Sequence, residues 1–166
     1  MKISTILTSL LVLFTLVSFN YKNNEKENLE KFLIQMNDAR LMDFQEGKLA
    51  ELKGTTSSIK EYGTLMIKDQ TFLLAELVKV AKSKNIALPK TISNKKLKAL
   101  KKLSEKLGKD FDKKFINMIC IDHKRDVKKF TNATKYEDQE VSKFANKHLP
   151  MIKSHLLKIE AIKKSN

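Results

Sequence analysis

The sequence predicts an all-α protein: a four-helix bundle with a short extra helix in the crossover between its second and third long helices. Three observations predict it. The chain has 166 residues, of which only 4 are Gly and 2 are Pro, so turns are few and elements long. Apolar residues recur at steps of three and four in four long stretches, as one buried helical face requires. Turn signals sort these stretches into two close pairs separated by one longer connection, the pattern of two antiparallel hairpins joined by a crossover.

The N-terminus reads differently. Lys2 is followed by a nearly uncharged run from Ile3 to Phe19. A short basic region and an apolar core are the marks of a secretory signal peptide. The expected organisation is a signal peptide over 1–20, a polar entry segment over 21–27 and the bundle over 28–163. Cleavage is expected between about Ser18 and Asn24, delivering the protein to the periplasm or outer envelope. The alternative is an uncleaved N-terminal anchor, for which the run is at the short end of the ~17–25 residues a spanning helix needs.

The first long helix is expected from Asn28 to Lys53, with a stripe of Leu29, Phe32, Leu33, Met36, Ala39 and Ala50. Asp43 and Glu46 fall on the continuation of that stripe. Gly54 is placed to end the helix in a left-handed conformation. Ser58 with Glu61 forms a capping box, so a second helix starts there and runs to about Lys84. Its stripe is Ile59, Tyr62, Met66, Leu73, Leu77 and Val80, interrupted by Gln70. Pro89 stops regular structure, and Ser93 can cap a shorter helix, Asn94 to Leu107, closed by Gly108. The third long helix opens with Asp110 as N-cap. Its stripe holds Phe115, Met118, Ile119, Val127 and Phe130, with His123 in line. The fourth runs from near Asp138 to about Lys163, with His148 and His155 among Val141, Phe144, Ala145, Ile152, Ile159 and Ile162. Pro150 inside it removes one backbone donor and should kink it.

These residues carry a family resemblance. The second helix holds Ile59-Lys60, Tyr62-Gly63, Met66-Ile67, Asp69, Thr71 and Glu76-Leu77, followed by the loop Ile86-Ala87-Leu88-Pro89. Gly108, Phe111-Asp112, Phe115 and Asp122-His123 mark the third helix, and Leu149-Pro150 with His155-Leu156 the fourth. In this order and spacing they resemble the exported bacterial ferritin-like family catalogued as domain of unknown function 4142, over roughly Leu29 to Ile162. The resemblance implies a ferritin-like bundle in the bacterial envelope and brings no established activity. The chain departs from the family at two places. Gln70 follows Asp69 where an Asp-His pair is usual, and Asp43 stands where a Glu is usual.

The candidate core site is the set of inward polar residues, Asp43, Asp69, Gln70, His123, His148 and His155. At ~1.5 Å of rise per residue, Asp43, Gln70, His123 and His148 fall near mid-height of the bundle. His155 lies one or two turns away, closer to the level of Asp43. The first reading is a structural hydrogen-bond network with no cofactor, in which four helices satisfy one another's polar groups. The alternative is a transition-metal ion held by Asp43, His123 and His155. No Glu-x-x-His occurs anywhere in the chain, which argues against a dinuclear iron centre. Cys120, the lone cysteine, makes only a weak Cys-x-x-His with His123, since structural zinc sites use four ligands. No phosphate-binding glycine loop or nucleophile–base pairing is legible, so the sequence points away from an enzyme.

The formal charge is +14. An exported protein is not expected to meet nucleic acid. An anionic envelope surface is the partner such a charge would favour. Lys95, Lys96, Lys98, Lys101 and Lys102 on the short helix form the one dense cluster, although lysines occur on every helix.

Overall fold

A computed structural model describes the backbone of residues 4–165 and the side chains of residues 26–165. The side chains of the predicted leader and of nearly all of the entry segment therefore lie outside the described residues. Five helices follow in order: α1 Ser4–Lys53, α2 Ser57–Ser83, α3 Asn94–Ser104, α4 Gly108–Ala133 and α5 Gln139–Ser165. Among the described residues there is no strand, and no helix is long and apolar enough to cross a membrane.

Several boundaries differ from expectation, each for a local reason. α1 starts at Ser4 rather than Asn28 and passes through 21–27. That stretch has no Gly or Pro and is rich in Lys and Glu, which are good helix formers. Glu27 and Lys31 form an i,i+4 ion pair just beyond it. α2 is capped by Thr56, whose hydroxyl accepts from the Ile59 amide, and not by Ser58. Gly54 is not left-handed; a Cβ there would lie 2.7 Å from the Ala50 carbonyl oxygen and from Ile59 Cγ2, so glycine is required by space. Gly108 opens α4 instead of closing α3, and it has a φ of +54°. Asp110 consequently sits in the first turn, and Leu107 occupies the cap position without a side-chain hydrogen bond. Ser93 caps α3 through the Lys96 amide. Asp138 caps α5 through the amides of Glu140 and Val141, both at 3.1 Å. α5 continues through Pro150.

The long helices form a bundle in which every neighbouring pair runs antiparallel. α1 meets α4 with Phe32 against Phe130, Arg40 against Asp126 and Thr55 against Asp112. α2 meets α5 with Ser83 against Glu140, Glu76 against His148 and Asp69 against His155. α1–α2 and α4–α5 are hairpins. The ends of α2 and the start of α4 therefore lie at opposite ends of the bundle, and the crossover spans its length. The Asn37 amide donates to the Pro89 carbonyl, the Ser93 amide donates to Asp38, and Lys53 donates to the Ser104 carbonyl. α3 is thus strapped along α1. One long crossover of this kind is what a ferritin-like bundle has.

The apolar interior is divided. One cluster gathers Phe32, Leu33, Met36, Leu73, Leu77, Phe130, Phe144 and Ile152. The other gathers Ala50, Ile59, Tyr62, Met66, Phe111, Phe115, Ile119 and Ile159. Between them each long helix buries polar side chains, Arg40, Asp43 and Glu46, Gln70, His123 and Asp126, and His155, which form a layer across the middle of the bundle.

Candidate functional site

Helical periodicity puts the layer's residues inside. On α1, Arg40, Asp43 and Glu46 follow Met36 at steps of three and four. On α4, His123 and Asp126 lie between Ile119 and Phe130 in the same way. All five are buried, Arg40 completely. Arg40 Nη2 donates to the Asp126 carboxylate and lies 3.1 Å from the Asp43 carboxylate. One guanidinium therefore holds two buried carboxylates from two helices.

Around this ion triplet stand the imidazoles. His123 and His155 stack with ring centroids 5.6 Å apart. His155 Nε2 lies 2.8 Å from Asp69 Oδ2, the Tyr62 hydroxyl donates to the His155 carbonyl at 3.2 Å, and the Tyr62 ring meets the His155 ring edge-on. Burial pushes His123 well below the usual histidine range, helped by the charges of Arg40 and His155. Burial lowers His155 as well, against the opposing pull of Asp69 and Asp43. Glu46 moves the other way. Burial, then the charges of Asp43 and Asp122, hold its carboxyl well above the usual range.

The hydrogen-bond network expected from the sequence does not close. Both oxygens of Asp43 and Glu46, both polar atoms of Gln70, both ring nitrogens of His123, Nδ1 of His155 and two nitrogens of Arg40 are buried without a hydrogen-bond partner. Arg40 engages the carboxylates through Nη2 alone, and Asp69 takes one nitrogen of His155. A buried polar atom left without a partner costs about 1–3 kcal/mol.

The structure brings Asp43, Asp69, His123 and His155 together and sets Gln70 in the same layer. It places His148 elsewhere: Nε2 of His148 lies 2.7 Å from Glu76 Oε2, with the rings of Phe72 and Phe144 beside it. Sequence reasoning missed Arg40, Asp126 and Glu76. Arg40 and Asp126 were findable, since both fall on the apolar stripes by the count that found His123. Glu76 sits at the edge of its helix face and gave no such signal.

A second feature lies outside the bundle, between α1, α3 and α4. It is a groove of about 690 Å³ lined by Lys95, Lys96, Lys98 and Lys102 of α3 and by Lys114, Arg125 and Lys129 of α4, with Asp38, Asp122 and Asp126. Lys101 does not line it. The basic cluster expected on one face of α3 is therefore half of a two-sided cleft, and the α4 half had no sequence signal, because it lies on a different helix of the chain.

Among the described residues, no three His, Cys, Asp or Glu side chains converge closely enough to hold a metal ion.

Fold and layer define a class, the helical bundle of two antiparallel hairpins with one full-length crossover and a buried polar stratum. The model of the family "Domain of unknown function (DUF4142)" matches residues 18–162, and the chain belongs to that family. The bundle is also similar to a solved structure, a DUF305 fragment from Deinococcus radiodurans. That similarity has a TM-score of 0.67 and 11% sequence identity, and it covers 86% of this chain and 96% of the fragment. It speaks to the fold alone. No curated protein matches the chain.

Proposed function

We propose that this protein is a non-catalytic bundle of the bacterial envelope that binds anionic surfaces through the α3–α4 face. The observation that carries the reading is the concentration of cations without carboxylate partners on that face. Among the described residues, Lys95, Lys96, Lys98, Lys102 and Lys114 form no ion pair. A basic N-terminus followed by an apolar run supports an exported location, where acidic lipids and polymers are the abundant polyanions. Binding should be electrostatic, and so it should weaken as salt shortens the reach of the charges. Sedimentation with vesicles of phosphatidylcholine containing phosphatidylglycerol should show binding that falls about tenfold or more between low and physiological salt. Binding that ignores both salt and lipid charge sinks the proposal.

A metal-binding core is the second reading. One arrangement favours it: Asp69 holds one nitrogen of His155 and leaves the other without a partner, which is how metal-ligating histidines are oriented by a carboxylate behind them. Loading would require His123, Asp43 or Glu46 to rotate toward that nitrogen. The first reading expects melts of metal-free protein with and without Zn²⁺, Cu²⁺ or Fe²⁺ to coincide. His123→Leu should then stay within about 1 kcal/mol of wild type, because the ring has no protein partner to orphan. A metal-induced rise in melting temperature that His123→Leu abolishes would promote the second reading.

A further inference from the structure

The groove between α1, α3 and α4 is more than a patch of surface charge. Three of its lysines, Lys96, Lys114 and Lys129, are half-buried. Lysines so placed lay their stems along apolar surface and keep the ammonium at the rim. Among the described residues, none of these three forms an ion pair. The carboxylates in the groove are already engaged. Asp38 accepts from the amide and hydroxyl of Ser93, Asp122 pairs with Arg125, and Asp126 is held by Arg40 from beneath. The groove therefore presents amines from two helices to a shared space, in which the charge of Asp122, itself paired with Arg125, only partly offsets the surrounding cations. Lys129 registers the result. Burial, and after it the charges of Arg125, Lys96 and the buried Arg40, hold its amine below the usual lysine range against the opposing pull of Asp122, while its hydrogen bond, 2.7 Å long, goes to the neutral Gln35.

Bringing like charges together in a concave site costs free energy, and an anion seated among them removes that cost. The cations approach from opposite walls, which suits a compact oxyanion with acceptor atoms on several sides better than a flat array of separated charges.

We infer that this groove is a discrete site for a phosphate-bearing group, with Lys96 of α3 facing Lys129 of α4 across it. The inference rests on the anion-binding reading above and narrows it from a charged face to one site. The phosphate could be that of a lipid headgroup or of a soluble phosphate ester; the chemistry recognised is the same.

The full chain, isotopically labelled at lysine, can be titrated with glycerol 3-phosphate and, separately, with phosphatidylglycerol vesicles. Three proteins are compared: wild type, Lys96→Gln/Lys129→Gln, and Lys101→Gln/Lys158→Gln, which removes the same charge from exposed positions that do not line the groove. Saturable binding of glycerol 3-phosphate is expected, with a rise in the pKa of Lys129 read by NMR. Binding should be weakened at least about tenfold in the groove pair and little changed in the other. Such binding identifies a soluble ester as a sufficient ligand. If vesicles alone bind, and only the groove pair loses that binding, the site stands and the headgroup is its ligand. If both pairs weaken vesicle binding equally and no soluble phosphate binds saturably, the discrete site is overturned while the charged-face reading survives. Saturable phosphate binding without any vesicle binding would do the reverse. Absence of both overturns both.

Discussion

At the scale of single residues, Glu46 is the most informative side chain. It is fully buried within reach of Asp43. In the unfolded chain it should ionise near its ordinary value of 4.5, whereas in the fold burial and two neighbouring carboxylates hold the proton on to a higher pH. Between those two values the folded state binds more protons. The stability this group confers is therefore complete below 4.5 and is lost as pH rises through the folded value. His123, His148 and His155 run in the opposite sense. Each is held below 6.5, mainly by burial. Their contribution is complete above 6.5 and is lost as pH falls, because the unfolded chain then takes up protons first. Glu46→Gln keeps the shape and a neutral group but cannot ionise. Urea unfolding from about pH 4 to about pH 9 should show the variant gaining on wild type as pH rises, by about 1.4 kcal/mol for each tenfold by which folding tightens the proton on Glu46. A constant difference across that range would mean that Glu46 titrates as an ordinary carboxylate.

At the scale of elements, the α1–α2 hairpin rests on a close backbone approach, where Gly47 and Gly63 face one another. A Cβ on Gly63 would lie 2.6 Å from the Gly47 carbonyl oxygen and 2.7 Å from the Glu51 amide nitrogen. Both obstacles are backbone, which cannot step aside as a flexible side chain would. Gly63→Ala gains about 1 kcal/mol of helix propensity but forces the helices apart, and overpacking of that kind costs about 1–3 kcal/mol. The variant should be less stable than wild type in urea unfolding, with Gly63→Ser worse still. A more stable Gly63→Ala would show that the hairpin can spread without loss. The short helix α3 makes the contrary point. It has one fully buried residue, Leu103, and its position depends on polar ties, Ser93 to Asp38 and Lys53 to the Ser104 carbonyl. Its lysines are consequently free to serve the groove.

At the scale of the whole molecule, the amphipathic stripes made the four long helices, their pairing and the buried positions of Asp43, Gln70, His123, His148 and His155 legible in the sequence. Periodicity reports which side of a helix faces inward, and burial of that side is the dominant favourable term in folding. It does not report height or azimuth across the bundle. Hence the sequence could not separate His148, which meets Glu76, from His155, which meets Asp69 and stacks on His123. Nor could it show that Arg40 would reach Asp126, 86 positions away. The groove was hidden for the same reason. Its two walls are distant in the chain, and only the full-length crossover, laid along α1, brings α3 beside α4. By itself the sequence determined the elements and which of their faces are inward, because those follow from the spacing of apolar residues within each helix. Tertiary structure alone decided which polar groups meet, because hydrogen bonds and ion pairs reach only a few ångströms and depend on how the helices are set against one another.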